Sequence, residues 1–219
     1  MSRVDYWLSI YGPQLAGYYD ECGPSHDLGH AVRVATMAEH IATEERASVD
    51  HTVLAALFHD VGHGAARTAG SDDHEIRSAK IAEGILTEEM PSQAVSDIVD
   101  AISGRRFSKR RLHRTPTGAV LDDADNLDAL GLIGVSRVYL WIGEHGWTNA
   151  HPRSWDTSEI AGRNMHALRR HFEEKLGLLT ESMHTATGRR IARARHRMML
   201  NFMEDLASEY AGSSGVRRE

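Results

Sequence analysis

Four residues of the types that hold catalytic metals lie in three separated segments: His30, the adjacent pair His59 and Asp60, and Asp125. Two imidazoles and two carboxylates form a mixed nitrogen and oxygen set. Such a set suits Mn²⁺, Co²⁺, Fe²⁺ or Mg²⁺ better than a structural zinc, which more often recruits thiolates. Against two aspartates a dication leaves a formally neutral shell. One ion so held polarises a phosphoryl oxygen and acidifies a coordinated water enough for attack on phosphorus near neutral pH. A lone histidine on a helix is more often a core or surface residue than a ligand, so the reading depends on the elements that bring the four together.

Apolar residues recur at helical spacing along most of the chain, and no sustained period-2 run suggests a sheet, so the expected class is all-α. Over about 27–46, His30, Val34, Met37 and Ile41 fall on one stripe, which puts an imidazole at the head of an inward-facing row. The next helix begins near the caps Ser48 and Asp50, runs through Val53, Leu54, Leu57 and Phe58, and is expected to end at Gly62, with His59 and Asp60 in its last turn. Consecutive helical residues point about 100° apart, so that pair can share an ion only if it sits beyond the helix flank.

A third helix is expected from Asp72 and Asp73 through Ile76, Ala79, Ala82 and Leu86, and a fourth after Ser92 through Val95, Ile98, Val99 and Ile102. Thr115 and Pro116 read as a cap and first helical position, opening a helix on which Asp122, Asp125 and Asp128 share a face. After a loop near 143–156, two more helical stretches follow, the last with Ile191, Met198, Phe202 and Leu206 as its apolar positions.

With 219 residues, 41% hydrophobic and 26% charged, the chain suits one compact helical domain. A formal charge of −6 gives no global attraction to nucleic acid or anionic membrane, so affinity for phosphates must be local. The single cysteine, Cys22, rules out an intrachain disulfide framework and, with no apparent signal or membrane segment, points to the cytoplasm.

The runs HDLGHAVRVATMAEHIA at 26–42, AALFHDVGHG at 55–64 and LDDADNLDALGLIGVSR at 121–137 resemble, in order, spacing and context, the successive motifs of the HD superfamily of metal-dependent phosphohydrolases. The segment HFEEKLGLLTESMHTATGRRIARARHRMMLNFM at 171–203 is similar to the C-terminal part of a bacterial branch in which several members act on nucleoside triphosphates. The resemblance implies an HD domain over 25–205, between an N-terminal helical extension (1–24) and a C-terminal tail (206–219). It implies metal ligation by His30, His59, Asp60 and Asp125, and hydrolysis of a nucleotide, with attack at the α-phosphorus giving monophosphate and pyrophosphate.

His63 falls one turn after His59, on the same helix flank by this reading, where nucleotidase relatives carry an acidic residue credited with protonating the leaving group. A histidine can do that work, or it can simply end the helix and donate to a carbonyl. Asp122, Asp123 and Asp128 read as solvent-facing or supporting carboxylates. A neutral metal shell does not offset a polyphosphate, and Arg33, Lys175, Arg189 and Arg195 match basic positions of the branch as phosphate contacts. The basic run from Arg105 to Arg114 has only Phe107 as an aromatic platform, so it reads as a solvated loop and nucleic acid is not an expected partner. Two departures from the branch pattern, Asn126 within DADNLDA and the segment AISGRRFS, bear on substrate choice.

Two other classes remain as alternatives. His74 following HDVGH is reminiscent of HD-type di-iron oxygenases, which would need a second histidine that His113 matches poorly. A nucleotide-sensing module without turnover could use the same pocket. The expected partner is a small phosphate ester, with no membrane partner and homo-oligomerisation left open.

Overall fold

The computed structural model describes residues 1–71, 73–104, 115–145, 172 and 176–212. Among them there are helices and no strands, in agreement with the all-α expectation. No helix of these residues is long and apolar enough to cross a membrane. Contacts gather the chain into two units, Met1–Asp128 with Met183–Arg189, and Ala129–Ser182 with Arg190–Glu219.

In the first unit, α1 (Arg3–Tyr19) leads through a short 3₁₀ turn (Pro24–His26) into α2 (Leu28–Glu45), followed by α3 (Val49–Phe58), α4 (His63–Thr68), α5 (His74–Leu86), α6 (Ser92–Ser103) and α7 (Pro116–Asp128). The order follows from burial. Every residue of α3 from Thr52 to Phe58 is buried, and a helix apolar all round belongs at the centre of a bundle. Accordingly α1, α2, α5, α6 and α7 all pack on α3. Helix α2 turns Val34, Ala35, Ala38, Ile41 and Ala42 inward, and their small side chains let α2 pack closely on α3 and α7.

Both ends of α2 are capped. The Asp27 carboxylate accepts from the His30 amide at 2.8 Å, and Arg46 closes the C-terminus in the left-handed region. Since His30 is the residue that Asp27 caps, the cap also fixes where the imidazole leaves the helix.

Three expectations need correction. Helix α3 stops at Phe58, so His59 is its cap and Asp60 lies in the turn beyond, not in the last helical turn. Gly62 does not end α3 but forms a close approach: a Cβ there would stand 2.7 Å from the Ser78 amide nitrogen of α5, and the Gly62 amide donates to Ser78 Oγ. His63 opens the separate helix α4, so it does not share a helix flank with His59.

The second unit includes α8 (Gly131–His145), α9 (Gly177–Ser182) and most of α10 (Ala186–Tyr210), whose first residues through Arg189 belong to the first unit. The inward positions of α10 include Ala192 and Met199, both fully buried, whereas Met198 is 52% exposed. The apolar stripe therefore lies one residue away from the one assigned through Met198. Ile76 on α5 is likewise exposed.

Candidate metal centre

The turn after α3 solves the problem posed by an adjacent His–Asp pair. His59 still has helical dihedrals (φ −62°, ψ −30°) and caps α3, while Asp60 lies in the turn that follows, and the two side chains turn to one point. His59 Nε2 lies 3.4 Å from Asp60 Oδ2. His30, one turn into α2, brings its Nε2 within 3.3 Å of His59 Nε2 and 3.7 Å of Asp60 Oδ2. From α7, Asp125 Oδ1 stands 3.3 Å from His30 Nε2 and 3.7 Å from His59 Nε2. All four residues named from the sequence thus meet in one cluster of the first unit.

The protonation of the two imidazoles follows from their other nitrogens. His59 Nδ1 is 2.6 Å from the Ala56 carbonyl, and His30 Nδ1 is 2.7 Å from Asp128 Oδ2. Both partners only accept, so both Nδ1 atoms carry the proton, and in the neutral form of each ring Nε2 is the nitrogen with the lone pair. The two Nε2 atoms lie 3.3 Å from each other and each lies 3.3–3.7 Å from an oxygen of Asp60 and of Asp125, and with three of the four side chains almost wholly buried these acceptors repel one another unless a cation lies among them. Ligand bonds of about 2.1 Å at right angles place neighbouring donor atoms about 3 Å apart. The donor set and spacing therefore fit a divalent ion of mixed nitrogen and oxygen preference.

The supporting carboxylate is Asp128. While Oδ2 accepts from His30, Arg33 donates from Nε to Oδ1 at 2.9 Å and from Nη2 to Oδ2 at 3.0 Å. This fork raises the Arg33 pKa above its ordinary value and joins the guanidinium through Asp128 to His30. The structure places Arg33 as the outermost member of that chain, with its side chain 39% exposed.

The other cations named from the sequence are placed differently. Arg189 donates Nη1 to the carbonyls of Met183 and His184, at 2.9 and 3.1 Å. Arg195, in the second unit, lays its aliphatic stem against Gly131. Lys175, the Arg105–Arg114 loop and His113 lie outside the described residues.

Around the cluster runs a rim of histidines. His63 stacks on His26 with ring centroids 4.3 Å apart and meets His74 edge-on at 5.3 Å. His74 Nε2 is 3.9 Å from Asp60 Oδ1. Among the described residues two groups have the geometry to hold a metal ion: His30, His59 and Asp125, and His26, His30 and Asp60. His74, the histidine on which the di-iron alternative rests, is in neither group.

His26 was missed in the sequence reading. Its signals are that it opens the run 26–42 and stands four residues before His30, just ahead of the helix cap, and nothing in either shows that the 3₁₀ turn folds it back onto Asp60.

Known proteins share the sequence pattern and the fold that carry this cluster. Residues 27–130 match the HD domain family. YpgQ, an uncharacterised protein of Bacillus subtilis, is 27% identical over 191 residues, 85% of each chain. Its crystal structure in complex with ADP matches with a TM-score of 0.66 at 25% identity, covering 90% of this chain and 96% of that one. An HD-superfamily hydrolase from Bacillus thuringiensis has the same fold, with a TM-score of 0.69, 24% identity, and 96% and 100% coverage. The cluster of His30, His59, Asp60 and Asp125 falls wholly within the segment 27–130 that matches the HD domain family, and the chain shares the fold of solved HD-superfamily hydrolases.

Proposed function

We propose that the chain is a divalent-metal-dependent phosphohydrolase that cleaves nucleoside triphosphates, releasing monophosphate and pyrophosphate. The observation that carries this reading is the convergence of four acceptor atoms, two of them imidazole nitrogens kept bare by their own hydrogen bonds. In this reading His30, His59, Asp60 and Asp125 hold one ion, with Mn²⁺, Co²⁺, Fe²⁺ and Mg²⁺ as candidates. Held there, the ion supplies Lewis acidity and a more acidic water.

The chain's own residues do the rest. The buried floor formed by His30 and His59 excludes bulk water, while the more exposed Asp125, His26 and His74 mark the side from which a substrate enters. Asp60 orients the attacking water with whichever carboxylate lone pairs ligation leaves over. His63, on that open rim, hands a proton to the departing oxygen. Arg33, Lys175, Arg189 and Arg195 are proposed to offset the polyphosphate charge; Arg33 keeps Nη1 outside its fork with Asp128. That YpgQ has been crystallised with ADP supports the nucleotide class. The single thiol fits a reducing compartment, and a cytoplasmic enzyme is the reading we adopt.

The test is a panel of ribo- and deoxyribonucleotides with Mn²⁺, Co²⁺ and Mg²⁺, with products resolved by chromatography. We expect monophosphate and pyrophosphate in the presence of metal and none after chelation. Turnover that survives chelation would falsify the proposal, and products containing diphosphate would move the attack to another phosphorus.

A further inference from the structure

His26 opens the run 26–42 without being one of the four residues assigned to the metal, and it touches two of the groups on which the chemistry depends. Its Nδ1 is 2.9 Å from Asp60 Oδ2, the same oxygen that faces His59 Nε2 at 3.4 Å. Its ring lies nearly parallel to that of His63, at 4.3 Å and 19°. Asp60 is almost wholly buried whereas the His26 side chain is 35% exposed, so His26 stands between the cluster and the open rim. A carboxylate oxygen only accepts, so His26 donates from Nδ1, and a nitrogen that carries this proton has no lone pair for an ion.

We propose that His26 is a positioning residue of the metal centre. Its Nδ1–H holds Asp60 in the orientation that faces His30 and His59, and its ring face holds His63 at the rim, so one side chain aligns a metal ligand with the proton donor. This rests on the metal-dependent reading above. The position of His26 is set locally: Pro24 starts a 3₁₀ turn that ends at His26, and Asp27 then caps α2. Hydrogen bonds to ligating carboxylates of this kind usually change metal affinity tenfold to a hundredfold when removed.

Three substitutions in the full-length protein separate the two contacts. Asn places an amide N–H where histidine has Nδ1 but has no ring face; Phe keeps the face and loses the donor; Ala loses both. Mn²⁺ affinity, read by electron paramagnetic resonance of the free ion, and turnover at saturating Mn²⁺ are measured for each, with circular dichroism of the metal-free proteins as the control for folding. We expect H26A to bind Mn²⁺ about tenfold to a hundredfold more weakly and to turn over more slowly even at saturation. H26N should recover most of the affinity and little of the turnover, and H26F should recover turnover relative to H26A with affinity still low. Parent-like Mn²⁺ affinity in a folded H26A overturns the proposal. So does H26N binding as weakly as H26A, which would make His26 a ligand itself. If the parent binds Mn²⁺ but hydrolyses no nucleotide, the functional reading falls, and the affinity measurements still decide the role of His26.

Discussion

Helix α7 carries four aspartates within seven residues, and its two sides use them in opposite ways. Asp125 and Asp128 face α2: one presents an oxygen to the bare nitrogens of His30 and His59, the other holds His30 in its tautomer and is gripped by Arg33. Asp122, expected on the same face as Asp125 and Asp128, turns instead with Asp123 to the segment 183–188, where they hold chain to chain. Asp123 is fully buried and accepts from the His184 amide at 2.8 Å, the Thr185 amide at 2.8 Å and the Thr185 hydroxyl at 2.7 Å. Gly188 follows because a Cβ there would stand 2.2 Å from Asp123 Oδ2. One side of the helix thus gathers acceptors that need a cation, and the other satisfies a buried carboxylate with donors from its own chain. The difference teaches that carboxylate-rich sequence does not by itself mark a metal site; what the carboxylates face does.

If that division is right, substitutions on the two sides should separate activity from stability. The largest effect is expected for Asp125→Ala. Losing a ligand removes several kcal/mol of transition-state stabilisation, about 4 kcal/mol being three decades in kcat. Metal titration should show much weaker binding, while the melting temperature of the metal-free protein stays at or above that of the parent because one of four mutually repelling acceptors has gone.

Next comes Asp123→Ala, which should do the reverse. Two amides and a hydroxyl lose their acceptor in a buried place, at a cost of about 3 kcal/mol of folding stability. Urea unfolding should show this loss, with Mn²⁺ affinity per folded molecule unchanged. A parent-like unfolding curve would mean that the anchor carries no stability.

A smaller loss is expected for Asp128→Asn, which keeps the shape but weakens the grip on His30 and on Arg33. Metal affinity should fall about tenfold to a hundredfold, which is about 1.4–2.7 kcal/mol, and calorimetric titration would measure it.

The smallest effect concerns pH. His184 Nε2 lies 3.2 Å from Asp122 Oδ2, and this hydrogen bond is the main reason that its pKa is raised above the ordinary histidine value. A raised folded pKa means that the bond contributes stability fully below the unfolded value of about 6.5 and loses it as pH rises through the folded one. Urea midpoints measured from pH 5.5 to 8.5 should therefore fall slightly across that window in the parent, and this component should be absent in Asp122→Asn.

Much of this was legible in the residues. The helical periodicity, the cap at Ser48, the Thr115–Pro116 start and the order of His30, His59, Asp60 and Asp125 are local or ordinal features, and each appears in the structure within the same segment. Where the reading went astray, the cause was also physical. The end of α3 was assigned to Gly62 because glycine commonly ends helices, whereas the tight packing of that glycine on α5 is a contact between segments 16 residues apart that no local pattern records. The shift from Met198 to Met199 arose because in a run of adjacent apolar residues the burial of one or the other depends on the partner helix.

By itself the sequence determined that the chain is helical and which imidazoles and carboxylates could meet, since helix periodicity and ligand chemistry are properties of residue types and their spacing. Only the tertiary structure decided which nitrogen of His30 is bare, which of four neighbouring aspartates faces the centre, and that His26 turns back onto Asp60. Those outcomes depend on hydrogen bonds between residues 34, 61 and 98 positions apart, and such partners exist only once the helices have packed.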